Sequence, residues 1–226
     1  MISEYLLFIL VPVLLGMWAQ SRVTSAFGKY SRVRAASNFT GAETAREILS
    51  AAQIHDVEVV QIDGMLGDHY DPTTKRLCLS SEIYNTPSVA AVGIAAHETG
   101  HAIQHANAYA PLKLRMTIVP ITQFASRLLP FVMIGGLLFG MLGLLKLGVL
   151  VYLVLTVFQL VTLPVEYDAS RRAKIILGHM GIIRSGEEAE GVNRVLDAAA
   201  LTYVAAFVAT LGNLLYLFSI TERRSN

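Results

Sequence analysis

The sequence predicts a mainly α-helical, multi-pass membrane protein of about four spans, with a small α+β module built from its polar segments. Two observations predict this. The 226 residues are 54% hydrophobic and only 15% charged, with a mean hydropathy of +0.51, whereas a soluble domain is charged at about a quarter of its positions. The charges are also unevenly spaced. Four runs without Asp, Glu, Lys or Arg lie at 5–21, 128–145, 147–165 and 198–221. Each matches the roughly 17–25 apolar residues that cross a hydrocarbon core about 30 Å thick.

The same composition excludes other classes. So apolar a chain is neither disordered nor an ordinary soluble globule. With 18 Lys+Arg against 17 Asp+Glu there is no basic excess to attract nucleic acid. A single cysteine, Cys78, excludes an internal disulfide.

The elements follow in chain order. The run 5–21 has Glu4 as its only early charge and no small-x-small cleavage site before Arg22, so segment 1–21 is expected to be an uncleaved anchor. Segment 22–115 is expected to be a folded module. Thr40 as N-cap and Glu43 three residues later form a capping-box signal that opens a helix. Residues 57–62 read as a strand, Asp63-Gly64 and the 68–72 segment (DHYDP) as turns, and Arg76–Ser80 as a second strand. Thr86 is the expected N-cap, and Pro87 the first residue, of a helix running to about Ala108.

Segment 116–165 is expected to be a hairpin of two spans with Lys146 at its far end, 166–197 a second polar segment, 198–221 a last span and 222–226 a tail. Gly136 and Gly140 are either a close-packing GxxxG pair or the ordinary glycine content of membrane helices. Arg22, Lys29, Arg32, Arg34, Lys113, Arg115, Arg127, Arg171, Arg172 and Lys174 flank the polar segments, against Lys146, Arg223 and Arg224 on the other side. That bias places both polar segments in the cytosol, with the chain in a cell membrane.

The chemistry is concentrated in His97-Glu98-Thr99-Gly100-His101, an H-E-x-x-H pattern on the predicted helix. Residues four apart share a helix face, so both imidazoles reach one zinc ion, which takes imidazole nitrogen at about 2.0–2.1 Å. Glu98 stands beside them, placed to take a proton from a metal-bound water. The module is therefore expected to be zincin-like. Gly100 lets another backbone approach the site or is simply tolerated.

A catalytic zinc needs a third ligand. His105 is too far along the helix, about 12 Å from His97 against a coordination sphere spanning about 4 Å, and the metzincin position holds Asn107. Glu166 is the better candidate, since a hairpin returning to its starting side brings it back to the side of His97 and His101. The other reading of Glu166 is an interfacial acid capping a helix that starts after Pro164. His69, Tyr70, Tyr167, Arg171 and His179 are candidate oxyanion donors. Arg76–Ser80 is either the edge strand on which an extended peptide aligns or a plain sheet edge.

HETGHAIQHANAYAPL, preceded by GMLGDHYDPTTKRLCLS and followed by EYDASRRA and VLDAAALTYVA, resembles the neutral zinc metallopeptidase family of YugP-like proteins. That family is similar to the HtpX and CAAX-prenyl membrane zinc proteases. The resemblance implies one zinc per chain, held by His97, His101 and Glu166 in a gluzincin-like set, with Glu98 as general base. One position departs from the HtpX-like pattern: Ser170 stands where an Asp partner of a ligand histidine is expected, and Asp168 or Asp197 is left to supply the carboxylate.

The function expected is therefore a membrane-embedded zinc metalloendopeptidase, a hydrolase of peptides or membrane-protein segments beside the bilayer. The alternative is a non-catalytic membrane adaptor with a structural metal site, in which a fourth protein ligand would close the sphere. A transporter fragment is disfavoured, because the apolar runs lack the ionisable residues that line transport pathways.

Overall fold

The structure, a computed structural model, describes residues 2–64 and 67–225. Residue 1 of the first anchor, residues 65–66 of the GMLG block and residue 226 of the tail lie outside them. The described residues are mainly helical, with one small sheet. It divides into two compact units: Met1–Ala19, Lys113–Pro164 and Leu201–Asn226 form one, and Gln20–Leu112 with Val165–Ala200 the other.

Among the described residues, four helices are long and apolar enough to cross a membrane: Leu6–Tyr30, Ala110–Leu138, Leu142–His179 and Glu187–Ser225. The first begins as α1 (Ile2–Tyr5), passes through a π-helical segment and continues as α2 (Val11–Tyr30). Next come α6 (Ala110–Met133), extended by a second π-helical segment (Ile134–Leu138), then α7 (Leu142–His179) and α8 (Glu187–Ser225). The run 128–145 is not itself a span: the second helix begins at Ala110, takes in Lys113, Arg115 and Arg127 and ends at Leu138 inside that run, because a helix ends where its backbone hydrogen bonds end and not where the apolar run does.

The structure decides three readings of these spans. The chain reverses at residues 139–141, where Gly140 takes φ +67°, and Lys146 lies inside α7. Gly136 and Gly140 therefore do not share a helix face. Gly136 sits in the second π-helical segment, where a Cβ would lie 2.8 Å from Leu145 Cδ2, and Gly140 supplies the left-handed turn conformation that L-residues resist. Pro164 stands within α7, so no helix N-terminus follows it for Glu166 to cap. In the apolar unit, Gly212 allows α8 to approach the backbone oxygen of Phe8, and Arg223 pairs with Glu4.

In the polar unit α3 (Gly41–Ala51) starts on the expected capping box. Thr40 Oγ1 accepts from the Glu43 amide at 3.2 Å, and the Thr40 amide donates to Glu43 Oε2 at 2.8 Å. Strands β1 (Glu58–Ile62), β2 (His69–Asp71) and β3 (Arg76–Ser80) form a sheet in the order β1-β3-β2, with β1 parallel and β2 antiparallel to β3. A one-turn helix α4 (Ser81–Asn85) leads to α5 (Val89–Ala106), which packs against α3, α4, β2 and β3. Its buried face joins Ile48, Leu177, Val192 and Leu196 in one apolar cluster, and Leu49, Leu77, Leu79 and Ile83 in another.

Here too the structure differs from the sequence expectation at named places. Segment 68–72 is not a turn. His69–Asp71 is strand β2, too short for its alternation to show, and the turn follows at residues 72–75, where Asp71 accepts from the Thr73 amide and the Thr74 hydroxyl. Arg76–Ser80 is the central strand and no edge, which is why four of its five residues are buried. The N-cap of α5 is Ser88, whose oxygen accepts from the Ala91 amide. Thr86 and Ser88 are extended, and the Pro87 carbonyl accepts from Ala35.

Helix α3 meets α4 at Gly41, where a Cβ would fall 2.3 Å from the Ile83 carbonyl oxygen. Gly41→Ala is expected to lower stability by about 1–3 kcal/mol, the usual cost of overpacking. Thermal unfolding in detergent checks this, with Gly28→Ala, which meets nothing within 4 Å, as the comparison.

Candidate metal centre

Helix α5 is rich in alanine and glycine and, Ile94 apart, buried from Val89 to Gln104. Small side chains let neighbouring elements close around it. The tightest approach is at Gly100, where a Cβ would lie 2.9 Å from the carbonyl oxygen and 3.2 Å from the Cα of Ala169 on α7. The sequence left the role of Gly100 open, and the structure assigns it to this backbone contact.

That contact brings two helix faces together. From α5 come His97 and His101, one turn apart, with ring centroids 4.8 Å from each other. From α7 comes Glu166, one turn before Ala169 and Ser170. Glu166 Oε2 lies 3.2 Å from His97 Nε2 and 3.5 Å from His101 Nε2. The three ligand atoms fall within 4.8 Å of one another and all three residues are buried. An ion with bonds near 2.0–2.1 Å in tetrahedral array separates its ligand atoms by about 3.4 Å, so this donor set fits a single zinc ion. Two neutral imidazoles and one carboxylate are also the nitrogen–oxygen set that zinc accepts.

Around these three, each polar group is held. His97 Nδ1 faces Ser170 Oγ at 3.1 Å, and His101 Nδ1 faces Gln104 Oε1 at 3.0 Å. Ser170 thus occupies the place where the HtpX-like pattern has a carboxylate. Asp168 reaches the site only through Gln104, and Asp197 pairs instead with Lys174. Gln104 was not singled out from sequence, and Ser170 was named only as a departure from the HtpX-like pattern. The available signal was spacing: Gln104 lies three residues beyond His101 on α5, and Ser170 four beyond Glu166 on α7.

Glu98 faces the sheet. Its Oε2 accepts from the Tyr70 amide on β2 at 3.1 Å, and burial pushes its carboxyl above the ordinary carboxylate range, against the opposing pull of His97 and His101. The Tyr70 hydroxyl meets His105 Nδ1 at 2.9 Å. Burial, with the charges of Asp56 and Asp71, raises that phenol to about 12, so it keeps its proton. His105 therefore ties β2 to α5 and is not part of the ligand cluster.

The remaining candidates lie elsewhere. His69 Nδ1 bonds the Gly67 carbonyl, Arg171 donates to Asp168, and Tyr167 is half exposed. His179 ends α7, about 20 Å along the helix from Glu166.

Residues 5–222 match the model of the family described as "Putative neutral zinc metallopeptidase". The chain is also 50% identical over 201 residues, 89% of each chain, to a Bacillus subtilis (strain 168) protein described as "Putative membrane protease YugP". The chain belongs to this zinc metallopeptidase family, and its four apolar helices associate it with a membrane. No solved structure matches it.

In the metal-free protein, burial opposes a charge on His101. The hydrogen bond to Glu166 and the charges of Glu98 and Glu166 outweigh it and hold the ring's pKa above the ordinary 6.5. A metal must displace that proton. Zinc affinity, read by chelator competition, is expected to fall as pH drops through the raised value, by about tenfold per pH unit for each proton displaced. An affinity constant between about pH 8 and about pH 6 would remove His101 from the ligand set.

Proposed function

We propose that this chain is a membrane-embedded zinc metalloendopeptidase, with His97, His101 and Glu166 holding one zinc and Glu98 acting as general base. The observation that carries this reading is the convergence of three buried ligand atoms within 4.8 Å, with Glu98 adjacent on the same helix. Zinc, when bound, polarises the scissile carbonyl and lowers the pKa of a bound water toward about 7.

The protein's own groups do the rest. Glu98 takes the proton of the attacking water and delivers it to the leaving amine. The Tyr70 amide fixes one oxygen of that carboxylate, leaving the other for the water. Burial lifts the Glu98 carboxyl toward the working pH, where a general base is most effective. A helix bearing H-E-x-x-H packed against a small sheet supports the zincin-like reading of the polar unit.

The polar segments face the cytosol on the charge bias of the span ends, so substrates are peptides or membrane-protein segments presented at that face. This orientation and substrate class rest on sequence and family analogy. A closed structural site would need a fourth protein ligand, and among the described residues the cluster offers three.

Glu98→Gln is expected to cut peptide hydrolysis by about 10²–10⁴-fold, the usual share of a general base, while zinc content and thermal unfolding stay as in the parent. Chelation should abolish activity in the parent and added zinc restore it. Full activity in the Gln variant would overturn the proposal.

A further inference from the structure

We propose that Gln104 is a positioning residue that locks the tautomer of His101 and couples this ligand to the Asp168 ion-pair cluster. The inference rests on the metal-site reading above and goes beyond it to the residues that hold the site ready. Gln104 is fully buried in α5, in contact with no solvent. Its side-chain amide makes three hydrogen bonds. Nε2 lies 2.8 Å from the Val165 carbonyl oxygen and 2.9 Å from Asp168 Oδ2, and Oε1 lies 3.0 Å from His101 Nδ1.

The chemistry of these partners fixes every proton. A carbonyl and a carboxylate only accept, so the end of the amide that faces them must be the NH₂. The reversed amide would set its oxygen against two acceptor oxygens and make a hydrogen bond to neither, while its NH₂ would compete with the His101 ring. With Nε2 so directed, Oε1 faces His101, and Nδ1 of that ring must carry a hydrogen. The lone pair of His101 is thereby forced onto Nε2, the atom that faces Glu166. Ser170 exerts no such control on His97, because a hydroxyl both donates and accepts.

Asp168 supplies the other half of the lock. Its oxygens accept from Arg171 at 2.6 Å and Arg172 at 2.5 Å, and Arg172 also stands over the Tyr109 ring. Both arginines draw the carboxylate into one position, and Gln104 transmits that position to His101. A carboxylate behind a metal-bound histidine raises its basicity and fixes its ring, and loss of such support costs about 10–100-fold in metal affinity. Here the carboxylate acts through an amide, at the second histidine, while a neutral Ser170 serves the first.

A double-mutant cycle on zinc affinity, measured by chelator competition on the full chain in detergent, tests this. Gln104→Met is expected to weaken zinc binding about 10–100-fold and Asp168→Ala about tenfold. Once Gln104 is Met, Asp168→Ala should add nothing, because its only route to the metal is gone. Ser170→Ala should cost less than Gln104→Met. Thermal unfolding of the metal-free variants separates positioning from folding. If Gln104→Met does not fold, Asp168→Ala alone decides, since Asp168 touches His101 only through Gln104. Unchanged affinity in either single variant, or an equal Asp168→Ala loss in both backgrounds, overturns the inference. A parent chain that binds no zinc would instead overturn the metal-site reading, and this inference with it.

Discussion

Gly100 and Ala169 bring two helix backbones nearer than any side chain at position 100 would allow. The contact matters because of what it draws out of water. Glu166 is almost wholly buried, and an isolated carboxylate in such surroundings is costly unless it is paired. His97 and His101, which meet it, are fixed on the opposing helix, so the separation of α5 and α7 sets whether these contacts form. A wider gap would part Glu166 from both imidazoles and His97 from Ser170. The donor set, the amide of Gln104 and the hydroxyl of Ser170 all lie along this one helix seam. Packing of small residues and electrostatics of the site are here the same constraint.

The sheet contributes a second restraint from the other side of α5. Strand β2 holds the helix at two points through one residue: the Tyr70 amide on Glu98 and the Tyr70 hydroxyl on His105. Two helical turns of α5 are thus referenced to a strand that is itself paired to β3. Glu98 owes its direction to backbone, which substitution of the Tyr70 side chain would not remove.

What was legible in the sequence was what is decided locally. The Thr40–Glu43 capping box needs only four residues, and its geometry is as the spacing implied. The apolar runs announced four helices long enough to cross a membrane. Their limits were not legible, because charge marks where hydrocarbon ends, while Gly140 marks where the chain turns. Strand β2 was hidden by its own residues, since Asp68, Asp71 and Pro72 read as a turn and three residues are too few to display alternation. The central position of β3 follows from that missed partner. At the site, the pairing of His97 and His101 on one face is a matter of helical period. The parts played by Gln104, Ser170 and Asp168 are not, because each depends on a residue from the other helix.

The sequence distance between the ligands carries a further consequence. His97 and Glu166 are 69 residues apart, and between them lies the whole apolar hairpin of α6 and the first part of α7. An ion shared by these side chains would therefore also be a cross-link that closes a long loop. By chain-entropy reasoning, closing a loop of that length removes about 4 kcal/mol of freedom from the unfolded chain, a figure that depends on the model used. A bound ion would then act as a clasp, fastening α5 to α7 within the polar unit across a segment the chain must send out and bring back.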